Sequence, residues 1–250
     1  MRLFLFFFFV VFLVSKTMSG TIDPNINDNK YIEYGKRFKC VAKLCGKSRD
    51  GKNYCASSVI IKPRWAITAA HVVNDIETCE LTVEDKKVAI EKIIKHKDFK
   101  YEEFGEYDIA LCKTSENIDL DSYPKLYTNH DEEGKVCSIS GYGISGTFLT
   151  GCTKFDGKRR AGLNNIDVIH KHILICSPST ERCIDLTELE FLIGVGDSGG
   201  GLFIDSELAG INSGVMAADK KPDSSYGDEG CHTRISIFAD WINNTIENND

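Results

Sequence analysis

Residues 191–201 read FLIGVGDSGGG, an Asp-Ser pair ringed by glycines and entered from an apolar run. Glycine gives up more backbone freedom on folding than any other residue. Gly194, Gly196, Gly199, Gly200 and Gly201 are therefore costly in a plain surface turn. They make sense where the backbone needs unusual dihedrals or where something must come very close to it. Both needs arise where a serine is presented as a nucleophile. Serine is weak in that role alone. It needs a base within hydrogen-bond reach, a group that orients the base, and donors aimed at the oxyanion formed during attack.

The rest of the chain offers a candidate for each part. The stretch RWAITAAH ends at His71, where a strand-like run leads through the small residues Ala69 and Ala70. Their size lets an imidazole lie close to neighbouring backbone. The stretch EYDIALCK holds Asp108 immediately before the apolar run Ile109-Ala110-Leu111-Cys112. A carboxylate buried there must be paired or hydrogen-bonded, and orienting a histidine satisfies it. His96 has no comparable setting, and His130, His170 and His172 read as loop or strand surface.

Composition bounds the alternatives. The 250 residues are 42% hydrophobic and 27% charged, enough for one large all-β domain or two small lobes. A net charge of −7 argues against a nucleic-acid partner. Met1-Arg2, the apolar run Leu3 to Val14, and the small residues Thr17 and Ser19 before Gly20 have the layout of a secretory signal. The apolar run falls short of the ~20 residues that span a bilayer. Residues 1–19 are therefore read as a cleaved leader, residues 20–250 as a secreted, monomeric extracellular domain, and no later stretch as a membrane span. The ten cysteines follow the leader and suit disulfide formation in an exported protein. Their connectivity is not legible; Cys40–Cys45 and Cys176–Cys183 are two pairings that would close local loops. No CxxC pair or His-Cys cluster points to zinc, and neither a metal nor a cofactor is expected. Asn243-Asn244-Thr245 is a glycosylation sequon.

The body reads as short β-branched strands bounded by Gly, Pro, Asn and Asp, including Val59–Ile61, Trp65–Thr68, Val88–Ile94, Val136–Ser140 and Leu202–Ile204. Only the end has helical spacing, with Phe238, Trp241, Ile242 and Thr245 on one face. Asp131-Glu132-Glu133-Gly134 reads as a solvated junction between halves, and Lys158-Arg159-Arg160 as an exposed loop or strand start.

His71, Asp108 and Ser198 occur in the chain order of the chymotrypsin template. With TAAH, DIAL, SGYG at Ser140–Gly143, GDSGG and the terminal RISIFADWI, the chain resembles the chymotrypsin-fold, trypsin-like serine proteases from about Val41 to its end. The resemblance implies an all-β fold of two six-stranded antiparallel barrels. The first would span about 38–125 and the second about 134–235, with a C-terminal α-helix at about 236–247. It implies a serine endopeptidase working through an acyl-enzyme on protein or peptide substrates in the cleft between barrels, with protein inhibitors as further partners. Ser198 would attack, His71 would act as base and then acid, and Asp108 would orient it. Ser213 would support the aspartate, and the N–H groups of Gly196 and Ser198 would form the oxyanion hole. Leu192, Ser213, Val215 and Gly230 would bind the substrate. Leu192 at the pocket base and Val215 on its wall imply small or medium apolar side chains before the scissile bond. A non-proteolytic α/β-hydrolase fits poorly, because its G-x-S-x-G serine precedes the histidine.

The chain also departs from the family pattern. Val72 stands where a cysteine usually follows TAAH, Gly194 replaces another cysteine, and Ile204 stands where the family's partner for Cys137 would be. Asp197, beside a low-dielectric pocket, needs a cation. In the family this is the amine of a freshly cut Ile-Val-Gly-Gly start, which is missing here. Register counted back from CVAKL puts Ile26–Asn29 at that place, with Ile26 as the candidate ammonium. These departures support an alternative reading, a protease-fold binding or regulatory protein with weak or no catalysis.

Overall fold

The computed structural model describes residues 20–103, 105–178 and 188–250. The leader expected at 1–19 and Cys183 lie outside them. The first elements are strand β1 (Thr21–Ile22) and helix α1 (Asp28–Gly35), followed by β2 (Val41–Ser48), β3 (Asn53–Lys62), β4 (Trp65–Thr68), β5 (Ile76–Val83), β6 (Lys86–Lys95) and β7 (Ala110–Thr114). The second half adds β8 (Val136–Gly141), β9 (Ser145–Thr147), β10 (Gly151–Lys154), β11 (Arg160–Asn165), β12 (Val168–His170) and β13 (Ile173–Cys176). It ends with β14 (Phe191–Leu192), β15 (Gly201–Ile204), β16 (Glu207–Ala217), β17 (Asp228–Arg234) and helix α2 (Ala239–Glu247).

Strands β2 to β7 close a six-stranded barrel in the order β2-β3-β4-β7-β6-β5. The alternation of apolar side chains that made these strands legible fills it with Leu44, Ile60, Leu81 and Val88. The second lobe is a seven-stranded sheet, β11-β8-β15-β16-β17-β13-β12, curled into a half-barrel. A small sheet, β10-β9-β1-β14, lies beside it. The fold is thus mostly β, trypsin-like in form, and it closes with the expected C-terminal helix. A third core cluster joins the lobes: Trp65, Ile67 and Leu111 from the first meet Phe203 and Ile211 from the second. Ile242 and Ile246 of α2, four apart and so on one face, cap it.

Helix α1 was not legible. It is short and mostly polar, started by Asn27, whose side chain accepts from the Asn29 N–H at 2.9 Å. Tertiary contacts hold it. Arg160, which its charge alone would put in solvent, is 4% exposed. Its guanidinium forks onto Asp28 at 2.6 Å and Asp156 at 2.8–3.0 Å. Arg159 donates to the Gly35 and Val41 carbonyls at 2.8 Å. Arg159 and Arg160 therefore pin α1 to the start of β11, while Lys158 is exposed. Glu132 is likewise buried, not solvated, and holds Arg234 at 2.7–2.8 Å and Ser236 at 2.7 Å. Among the described residues one disulfide, Cys45–Cys55, crosses directly from β2 to β3. Of the two pairings suggested by loop closure, Cys40–Cys45 does not form, because Cys45 pairs with Cys55, and Cys176–Cys183 falls on Cys183, outside the described residues.

Candidate active site

His71 lies in the single 3-10 turn Ala70–Val73 that follows β4. Ala69 and Ala70 are fully buried, so the chain turns tightly there and aims the imidazole at the head of β7. Asp108, two residues before β7, waits in that place and is 3% exposed. Its Oδ1 accepts the His71 backbone N–H at 2.8 Å, and its Oδ2 lies 2.7 Å from His71 Nδ1. The same Oδ2 accepts the Ser213 hydroxyl at 2.5 Å. A carboxylate can only accept, so Nδ1 carries the proton and Nε2 is left as the base. Burial alone would push the Asp108 carboxyl up, but the His71 charge and these hydrogen bonds outweigh it and hold it below its ordinary range. Burial pulls His71 down, but the Asp108 charge and hydrogen bond overcome it and raise the imidazole above 6.5.

Ser198 comes from the other lobe. Its hydroxyl donates to the Ser213 carbonyl at 3.2 Å, while the Ser213 side chain holds Asp108. Ser213 sits at a register shift between Asn212 and Gly214 in the β16–β17 ladder, and this irregularity frees its carbonyl from the sheet. Ser57 on β3 clamps the turn that carries Ser198. Its N–H donates to the Ser198 carbonyl at 2.9 Å and its hydroxyl to the Gly196 carbonyl at 2.8 Å. Sequence reasoning missed Ser57, since nothing local marks it. Gly199 explains itself sterically: φ is +82°, and an added Cβ would lie 2.0 Å from Thr68 Oγ1 and 2.2 Å from the Ser57 carbonyl. The Gly196 and Ser198 N–H groups have no acceptor among the described residues.

Asp197 is 1% exposed and accepts the N–H groups of Gly143 at 2.8 Å and Gly194 at 3.1 Å. A third N–H, that of Gly20, also reaches it. Burial still pushes its carboxyl up to about 6. Ile26 is not at this place. Its N–H closes a turn on the Asp23 carbonyl at 3.1 Å, and its side chain packs on the core of the second lobe. Helix α1, Asp28–Gly35, fills most of the interval between Ile26 and β2 in the uncut chain.

The four residues expected to bind substrate separate into two groups. Val215 is paired with Gly230 across β16 and β17, and Leu192 packs beside them, its Cδ1 3.0 Å from where a Gly230 Cβ would be. Ser213 lies apart from them, with its hydroxyl on Asp108 Oδ2 and its carbonyl accepting from Ser198 Oγ. A further residue meets the Gly230 wall: His232 Nε2 lies 3.4 Å from that Cβ position, buried and without a hydrogen-bond partner. Asn212 Nδ2 donates to the Ser140 and Asp197 carbonyls at 3.1 Å, so its Oδ1 must face His232 Nδ1, 3.0 Å away. His232 is then a neutral donor at Nδ1, in keeping with a pKa pushed down to about 3 by burial.

The family model described as Trypsin matches residues 31–242. The chain belongs to the trypsin family. Among curated relatives of this trypsin-family chain, mouse kallikrein 1-related peptidase b3 is 28% identical over 224 residues, covering 78% of this chain and 82% of its own. Chymotrypsin-like elastase family member 1 of Macaca fascicularis is 26% identical, covering 78% and 80%. Among solved structures, HL collagenase superposes with a TM-score of 0.70 at 19% identity, covering 84% of this chain and 94% of its own. That likeness speaks for the fold.

Proposed function

We propose that this trypsin-family chain is a secreted serine endopeptidase that cleaves protein or peptide substrates through an acyl-enzyme. The observation that carries the reading is the Asp108–His71 pair at 2.7 Å, whose unused Nε2 is a base, tied through Ser213 to Ser198. The Ser198 hydroxyl rests on the Ser213 carbonyl and would exchange that partner for His71 Nε2 in the substrate complex, where such bonds are often first made. Attack on the scissile carbonyl passes the serine proton to Nε2, and Asp108 stabilises the imidazolium. The Gly196 and Ser198 N–H groups receive the oxyanion. Protonated His71 then gives its proton to the leaving amine, and water repeats the sequence to free the acyl group. Leu192, Val215 and Gly230 favour a small or medium apolar side chain before the scissile bond, with Ala, Val and Leu as the expected choices.

A peptide library digested with the wild-type protein and with Ser198→Ala tests this. The expected result is cleavage after Ala, Val or Leu by the wild type alone. Equal cleavage by both proteins removes the serine mechanism, and dominant cleavage after Lys or Arg removes the pocket assignment.

A further inference from the structure

Cys137 and Cys176 stand well apart in the second sheet and yet meet. Cys137 is on β8 and Cys176 ends β13, and three strands, β15, β16 and β17, separate them in the sheet order. The curl of the sheet brings them together: both are buried in the core of the second lobe, with their Sγ atoms 3.9 Å apart. Both are free thiols. An S–S bond is about 2.05 Å long, so side-chain adjustments that close about 2 Å join them. The contact given up is the Cys137 S–H on the Asn164 carbonyl at 3.3 Å, and a thiol is a weak donor. Cys231 is less well placed. On β17 it stands opposite Ile175, not Cys176. Opposed residues share a face of the sheet and successive residues alternate, so Cys231 points to the face away from Cys176. On the other side, Ile204 packs in the same core where the family's partner for Cys137 would be, which leaves Cys137 open to a different one.

We propose that Cys137 and Cys176 are joined by a disulfide in the exported protein, a bridge that closes the half-barrel of the second lobe. The oxidant is itself a disulfide, carried by a thiol–disulfide oxidoreductase of the export route. One cysteine thiolate attacks that disulfide, forms a mixed disulfide and releases the oxidant's first thiol. The other cysteine thiolate attacks the mixed disulfide at the first cysteine's sulfur, the Cys137–Cys176 bond forms, and the oxidant's second thiol leaves. Two electrons and two protons pass from the cysteines to the oxidant. Burial and the adjoining Cys137 push the Cys176 thiol up, so thiolate is scarce once the core is packed, and the exchange belongs to the stage before the lobe closes. The bridge acts where backbone pairing does not. β8 pairs with β11 and β15, and β13 with β12 and β17. Cys45–Cys55, by contrast, joins strands already paired. The new bond spans 39 positions of chain and ties β13, where Cys176 faces Gly230, to β8, which leads to the Gly143 N–H on Asp197. The proposal rests on the secreted part of the proposed function, since a reducing compartment keeps both thiols free.

The test expresses the full chain, leader included, in a secretory host. Protein from the medium is alkylated with N-ethylmaleimide under denaturing, non-reducing conditions, digested, and mapped by mass spectrometry. The expected result is a peptide pair joined through Cys137 and Cys176, with neither residue alkylated. Thermal melting of Cys137→Ala, Cys176→Ala and the double variant adds a second reading. Each single change should lower the melting point by about 5–15 °C, and the double change by clearly less than the two together, because either one alone removes the bond. The wild-type map decides the matter where a variant fails to fold. Cooperatively melting protein from the medium with both cysteines alkylated, or with either one bound to another cysteine such as Cys183 or Cys231, overturns the proposal and leaves the secretory reading standing. Additive losses in the variants overturn it too. Protein kept inside the cells with its leader uncut and both thiols free overturns both readings. A joined pair in protein that a fluorophosphonate does not label supports the bridge and counts against the endopeptidase reading alone.

Discussion

Replacing Asp108 with asparagine changes one atom of the side chain and should remove nearly all turnover. In the wild type, Oδ1 accepts the His71 backbone N–H at 2.8 Å, and Oδ2 accepts from His71 Nδ1 at 2.7 Å and from Ser213 Oγ at 2.5 Å. Asparagine offers one oxygen and one NH₂ in the same space. If the oxygen keeps the backbone N–H, the NH₂ faces Nδ1, which must become an acceptor. The proton then moves to Nε2 and the base is lost. If the amide is reversed, its NH₂ meets the His71 backbone donor, and two donors are opposed in a buried site. The first arrangement is the less costly, so the variant folds with the wrong tautomer. The expected loss is about 10⁴-fold in kcat, the size associated with this change in the general triad template, or ~5 kcal/mol of transition-state stabilisation. The assay is peptide hydrolysis under saturating substrate, with thermal melting as the control on folding. A folded Asp108→Asn protein within about tenfold of wild-type kcat refutes the reasoning.

Three further outcomes follow from the same geometry. Because Asp108 raises the His71 pKa and only neutral imidazole can take the serine proton, kcat/KM should fall on acidification with a midpoint above 6.5; a midpoint at or below that value contradicts the pairing. Gly199→Ala, with no space against Thr68 and Ser57, should cost at least ~2 kcal/mol, seen as a melting point lower by about 4 °C or more; an unchanged melting point rules out the close approach between lobes. For His232, whose folded pKa lies near 3 against an ordinary 6.5, the unfolded chain takes up a proton that the folded chain refuses, so its contribution to stability is complete above 6.5 and lost as pH falls toward 3. Urea unfolding of wild type and His232→Gln across that window should show the wild type losing up to ~1.4 kcal/mol more per pH unit; parallel curves contradict a buried neutral imidazole.

What was legible in the sequence had its cause nearby. The β3, β4, β8 and β15 runs carry their own β-branched residues, and their burial follows; β6 forms where it was read but buries only Val88. The geometry joining His71 to Asp108 was foreshadowed because Ala69-Ala70 and Ile109-Ala110 sit in the same segments as the groups they position. What stayed hidden depends on partners far along the chain. β17, DEGCHTR, does not read as a strand, yet Cys231, His232 and Thr233 are buried, and Thr233 spans the lobes to donate to the Asp108 carbonyl at 2.9 Å. Arg160 reads as surface until Asp28 and Asp156 close on it. Ser57 is unremarkable in NYCASSV until the turn carrying Ser198 folds onto β3. Gly20 shows the same limit most plainly, since its small size has meaning only against Phe191 and Asp197.

The central claim is that Ser198 is a nucleophile activated by His71 and Asp108. The most direct measurement is mass spectrometry of the folded, leader-free protein after reaction with a fluorophosphonate, mapping the adduct to a residue. A single phosphonyl group on the peptide bearing Ser198, absent in His71→Ala, is the predicted result. Folded protein that carries no adduct, or carries it on another residue, would contradict the account.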